Sequence, residues 1–247
     1  MQTTRIAAVL ILIMAIVYFL CRLLVKKIKF ANLSHNREKD RLIRRHIARS
    51  LEESAPIHLD LGDSGESALG GGSMLSAAGA TETVSAQMAF ADEPWVITAP
   101  GGLASNLEKD ALHMGMKAAA YGSSDDMDCT VYSAPSPMEH AAGNAAALDM
   151  APSALHLAIG SFGTAPALTD THCSKGEFLC VGGEDLVSQA VGTVSADAVY
   201  VGEQFAEIPG ALDREEKQDP SLLAMDVIRW LVIGSIIIFA GFGLSGL

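Results

Sequence analysis

The chain has 247 residues, a formal net charge of −12 and an apolar fraction of 49%, with only 6% of all residues aromatic. That length holds one ordinary domain and two apolar end segments, and the small-residue bias favours close helix–sheet packing over large cavities. Ten of the 17 basic residues lie between Arg22 and Arg49, while Ser50 to Asp213 carries three Lys against 23 Asp and Glu. Affinity for nucleic acid comes largely from Lys and Arg on phosphates, so that acidic stretch excludes it as a partner.

The first segment, Ile6 to Cys21, is sixteen residues without a charge, extended past Arg22 by Leu23, Leu24 and Val25. With Arg22 snorkelling, this is close to the ~20 residues of a helical span. A cleaved signal peptide is the rival, but the charge is heavier after the run than before it and no small-x-small site follows. Residues 1–28 therefore read as an N-terminal transmembrane anchor. Arg22, Lys26, Lys27 and Lys29 follow it closely, and the positive-inside rule places them, and the chain beyond, on the cytoplasmic side.

Residues 29–54 read as a basic amphipathic juxtamembrane helix. Leu42, Ile43, His46, Ile47 and Leu51 share one face, and Arg41, Arg44 and Arg45 lie among the basic residues of the other. Such a helix lies on an anionic leaflet, pairs with a second copy, or forms a solvated stalk.

From 55 to 213 the pattern alternates short β-rich runs with Ala-rich segments, the mark of a parallel sheet covered by helices. Strands are expected at 57–61, 95–98, 129–133, 155–159, 178–181 and 198–201, and helices at 73–91, 103–121, 137–150, 184–192 and 203–212. The fold class is α/β, a Rossmann-like, mostly parallel sheet with helices on both faces, flanked by a transmembrane helix at each end. Residues 214–222 read as a linker. Residues 223–247 read as a second span, with eighteen uncharged residues from Trp230 to Leu247 and an Asp226–Arg229 pair at its entry. The expected topology is two spans of the inner membrane, with both termini outside and the acidic domain in the cytoplasm.

Several strands end in glycine, and ligands of open α/β sheets sit at those carboxyl ends. Pro56-Ile-His-Leu-Asp-Leu-Gly62 and Ala154-Leu-His-Leu-Ala-Ile-Gly160 echo one another, with His58 and His156 at matching positions. The candidate ligand-binding residues are His58, Gly62, Gly65, Gly101, Gly102, His156, Gly160, Gly163, Gly182, Gly183 and Glu203. Gly62-x-x-Gly65 and Gly160-x-x-Gly163 lack phosphate-binding spacing, and Asp60, Asp63 and Glu66 oppose an anion at the first turn. Gly62-Asp-Ser-Gly65 is similar to the surroundings of a serine-protease nucleophile, but no base or orienting acid accompanies it. Cys21, Cys129, Cys173 and Cys180 have neither disulfide-scaffold nor zinc spacing. The loop with Asp125, Asp126 and Asp128 lacks the EF-hand pattern, and Met88, Met114, Met116, Met138 and Met150 fit a helix core. No catalytic set, metal site or cofactor is expected.

Gly192-Thr193, Asp197-Ala-Val-Tyr-Val-Gly202-Glu203-Gln204-Phe205-Ala206, Gln218-Asp219 and Arg229, with the Pro56 opening, resemble a bacterial membrane family that carries only a domain-of-unknown-function label. The resemblance covers most of 50–240. It implies a membrane-tethered α/β domain and no reaction. Gln204 stands where a second acid is expected after Glu203, so no role resting on an acid pair carries over.

Three functions fit this reading. The first is a scaffolding subunit that self-associates or docks on other membrane-complex subunits, with lipids as its further partner. The second is a sensor binding a small ligand at the glycine turns. The third is a hydrolase or metal enzyme using His58, His156, Asp60 or Glu203.

Overall fold

The computed structural model describes residues 12, 14–23, 37–62, 72–89, 95–100, 103–119, 129–134, 136–150, 153–172, 178–183, 185–213 and 220–244, some of them by backbone alone. The chain divides into two compact units, Asn36–Glu215 and a second made of Met1–His35 with Glu216–Leu247.

The larger unit is built on a six-stranded sheet of β1 (Ile57–Leu61), β2 (Trp95–Pro100), β3 (Cys129–Ala134), β4 (Leu155–Ile159), β5 (Phe178–Gly183) and β6 (Ala198–Val201). The strand order is β3-β2-β1-β4-β5-β6, and every pairing is parallel. This is the order of doubly wound dinucleotide-binding sheets, with its topological switch between β1 and β4. The two echoing segments are therefore the two central strands, paired in register with His58 opposite His156.

Helices cover both faces. Beside the first lie α2 (Arg37–Glu53), α3 (Gly72–Met88), α4 (Leu103–Ala118) and α8 (Ile208–Leu212), the last entered through a 3₁₀ turn at Gly202–Glu207. Beside the second lie α5 (Pro137–Met150), α6 (Ala165–His172) and α7 (Leu186–Ser195). Period-2 alternation gives the two faces opposite character. Ile57, Leu59 and Leu61, with Leu155, Leu157 and Ile159, meet α2, α3 and α4 in one apolar core. His58, Asp60 and His156 point to the other face, where the apolar cluster among the described residues is Ala158, Phe162 and Val181 with Ala165 and Ala196.

The strands lie where the sequence places them, to within two residues. The helix α6 does not appear in the sequence reading, because eight residues with Pro166 and four polar positions show no helical period. The 184–192 helix starts later and ends at Ser195, and 203–212 divides into the 3₁₀ turn and α8.

The basic helix requires a larger correction. Its apolar face exists as read, but Ile43 and Ile47 are fully buried in the first-face core, with Leu42 and Leu51 packed beside them. Asp40 accepts from the Tyr200 hydroxyl at 2.8 Å, and Lys39 Nζ donates to the Val199 carbonyl at 2.6 Å. The helix is thus part of the α/β unit, which begins near residue 36 and not at 55, and its apolar face is not free for a leaflet or a second copy. Arg44 turns to the Asp213 carbonyl, while Arg41 and Arg45 remain exposed.

In the smaller unit, residues 14–23 form a helix, α1, with Cys21 buried and its thiol free. The other long element is α9 (Pro220–Leu244), which carries the expected Asp226–Arg229 pair at 3.5 Å. Among the described residues no helix is long and apolar enough to cross a membrane. Much of the first expected span, residues 245–247 of the second, and Lys26, Lys27 and Lys29 lie outside those residues; Arg22 is exposed on α1.

Candidate functional site

The sequence places His58 and His156 at the mouth of a crest site, whereas the structure puts them inside. Both sit mid-strand, one residue from the start of β1 and β4, and are 1% and 0% exposed. Their Nδ1 atoms are 2.8 Å apart. His58 Nε2 lies 3.1 Å from Thr98 Oγ1, which lies 3.2 Å from Asp60 Oδ1. The same carboxylate oxygen is 2.7 Å from His140 Nε2 of α5, and Asn144, one helical turn on, lies at 3.5 Å from that nitrogen. All six side chains are buried.

Burial drives the His58 imidazole down to about 3, helped by repulsion from His156, against the pull of Asp60. Burial likewise lowers His156 to about 4. Burial pushes Asp60 up, but the neighbouring His140, through charge and hydrogen bond, outweighs it and holds the carboxyl down at about 2. Near neutral pH the strand pair is therefore uncharged and Asp60 is ionised.

Those states fix the direction of the chain of hydrogen bonds. An ionised Asp60 only accepts, so the Thr98 hydroxyl donates to it. Thr98 then accepts from His58 Nε2–H, which leaves His58 Nδ1 as the acceptor of His156 Nδ1–H. The chain ends at His156 Nε2, a buried nitrogen with no hydrogen-bond partner among the described residues. In the tautomer just derived this nitrogen is an acceptor lone pair. The arrangement ties β4, β1, β2 and α5 together across the switch point.

The glycines are used for packing. A Cβ on Gly62 would lie 2.5 Å from the Ser161 amide nitrogen, and one on Gly160 would lie 2.6 Å from the Gly62 Cα. Gly160 also has φ +138°, a conformation other residues resist. Gly62 N–H donates to the Ile159 carbonyl at 2.9 Å, so the two turns at the switch point close backbone on backbone. Gly182 makes room for Ile208, and Gly183 lies against Ser188. Gly163 has open space and a left-handed backbone, which marks a plain turn. Gly65, Gly101 and Gly102 lie outside the described residues, as does the Glu203 side chain, whose backbone belongs to the 3₁₀ turn.

The other phosphate-like position is also occupied by the chain itself. Asp185 caps α7, accepting from Ser188 N–H at 2.7 Å and from the Ser188 hydroxyl. Burial pushes its carboxyl up, but the bonds from Ser188, Phe162 and Ser161 prevail and lower it. A helix N-terminus already holding a carboxylate offers little to an anion.

Asp60 belongs to the sequence reading as an alternative catalytic acid, but Thr98, His140 and Asn144 do not appear there. A signal exists for two of them: His140 and Asn144 stand four residues apart on one face of an otherwise Ala-rich helix. Among the described residues no group of His, Cys, Asp and Glu is arranged to hold a metal ion. The loop with Asp125, Asp126 and Asp128 and the Cys129, Cys173 and Cys180 side chains lie outside them; His172 pairs instead with Asp149 at 3.0 Å.

Comparison with known proteins adds no relative: no family model, no curated protein and no solved structure matches this chain.

Proposed function

We propose that this chain is a membrane-tethered structural subunit whose α/β domain works by assembly, through self-association or docking on a larger membrane complex, without catalysis of its own. One observation carries the reading. The histidines and the acid that look catalytic in the sequence are committed to each other beneath α5, under two glycine turns that close on one another. A catalytic group has to reach its substrate within hydrogen-bond distance, and a 0–2% exposed network spent on internal bonds does not. At Gly62, Gly160, Gly182 and Gly183 an added Cβ would meet protein, which favours packing over a ligand at these turns.

The tether rests on sequence: the uncharged runs 6–21 and 230–247, and the basic residues that follow the first. The orientation is both termini outside and the acidic domain in the cytoplasm, with Arg22, Lys26, Lys27 and Lys29 at the inner leaflet. Arg41 and Arg45 of α2 are exposed on the α/β unit.

Native mass spectrometry of the full chain, released gently from its own membranes, tests this. An assembly of several copies, or of this chain with other subunits, is the expected result. A monomer carrying a stoichiometric small molecule overturns the proposal in favour of a sensor or an enzyme.

A further inference from the structure

The helix α7 is inside-out. A surface helix normally turns its apolar stripe to the core and its polar residues to water. In α7 the buried positions are Ser188, Gln189 and Gly192, with Gly192 against Val181 and Val199 of the sheet. The opposite side carries Val187, Val191 and Val194 at i, i+4, i+7 spacing, and the ten-residue helix holds no charged residue. Val194 is 90% exposed, Val187 50%, and Leu186 at the helix start 81%. The neighbouring helices continue the pattern: Met138 and Met150 of α5, which the sequence reading assigns to the core, and Leu168 of α6 also face outward. An apolar surface of this kind, away from the core, marks an interaction site.

We infer that the outer face of α7 is where a second copy of this chain docks, helix to helix about a twofold axis. This deepens the assembly proposed above and rests on it. Two observations select a second copy. The unit Asn36–Glu215 has 26 acidic residues against ten basic ones, so two domains repel across most orientations, and an uncharged stripe lets them meet without that cost. A stripe of valines with no charge or donor to specify a foreign partner is self-complementary, as a twofold interface requires. A ten-residue helix is about 15 Å long, so its face is smaller than the ~800 Å² per partner of a standard interface. The contact is therefore weak between free molecules and forms when tethering raises the effective concentration to roughly millimolar.

The test uses the full chain in lipid nanodiscs or native membranes, comparing Val194→Cys with Leu75→Cys, an exposed position on the other helical layer. Mild oxidation should yield a disulfide-linked dimer with Val194→Cys, above the level of the parent chain, and none with Leu75→Cys. Val194→Asp, at a site with no core contact to lose, should weaken self-association by tenfold or more, as truncating an interface centre does, with an unchanged circular dichroism spectrum. Homo-oligomers that persist in Val194→Asp without Val194→Cys cross-links overturn the α7 face and leave the assembly reading standing. A Val194→Cys cross-link to a different protein overturns the second copy as occupant. A chain that is monomeric and alone in its membrane overturns both.

Discussion

Glu108 should make the α/β unit less stable as pH rises through neutrality. It lies on α4, 1% exposed, against α3. Thr81 Oγ1 donates to its Oε2 at 2.5 Å, and its Oε1 has no hydrogen-bond partner among the described residues. Burial pushes the carboxyl up from 4.5 to about 7, with the Thr81 bond opposing. Because the folded state holds this proton more tightly than the unfolded chain, the associated stability is fully present below pH 4.5. It falls as pH rises through about 7 and then levels off. At about 1.4 kcal/mol for each pH unit, the interval from 4.5 to about 7 amounts to roughly 3 kcal/mol. Glu108→Gln keeps an acceptor for Thr81 and cannot ionise. Thermal unfolding of the full chain in detergent, followed by circular dichroism, should show parent and variant melting together near pH 5. At pH 8 the variant should melt higher by roughly 6–12 °C, given about 2–4 °C per kcal/mol for a domain of this size. Parallel pH profiles for the two proteins would refute the burial of an ionisable Glu108.

The remaining predictions follow from the same structure. Asp60→Asn removes the charged partner of His140 in a buried site and should cost about 3–5 kcal/mol in urea unfolding. The depressed values of His58 and His156 mean that the folded state binds fewer protons than the unfolded chain. Their contribution is intact above pH 6.5 and lost as pH falls toward 3–4, so the urea midpoint of the parent should drop steadily across that range. Gly160→Ala should destabilise by several kcal/mol through its positive φ and the Gly62 contact, whereas Gly143→Ala, in open space on α5, should stabilise by about 1 kcal/mol. Ile43→Ala should cost about 2–5 kcal/mol if α2 belongs to the core; no change in melting would return that helix to the membrane surface.

Elements that depend on local pattern were legible in the sequence, and those that depend on pairing were not. The alternation in Ile57-His-Leu-Asp-Leu marks a strand and puts His58 and Asp60 on one face, and the structure agrees. The echo with Leu155-His-Leu-Ala-Ile reflects two strands that lie side by side, with their histidines in register. Thr98 and His140 join that pair from 40 and 80 residues away, contacts that exist only once the strand order is known. The amphipathic face of α2 says that something covers it, yet hydrophobicity is blind to whether the cover is lipid, a second copy or the chain's own sheet. The glycines mark close approach correctly, but the same signal serves a ligand and a neighbouring backbone. Glu108 was overlooked because Glu-Lys-Asp reads as surface. It stands nevertheless on the stripe Ala104, Glu108, Ala111, Leu112, and an acid at an apolar position is a signal that can be read.

The account rests most heavily on the closure of the His58–His156 network against solvent. Hydrogen exchange at the C2 position of histidine, read by mass spectrometry on the full chain, reports solvent access and protonation of each ring separately. His58, His140 and His156 should exchange far more slowly than the exposed His113, and His58 and His156 should show no titration between pH 5 and 8. Exchange of His58 and His156 at the rate of His113, with midpoints near 6.5, would mean that the strand histidines meet water. The proposal of a structural, non-catalytic domain would then lose its foundation.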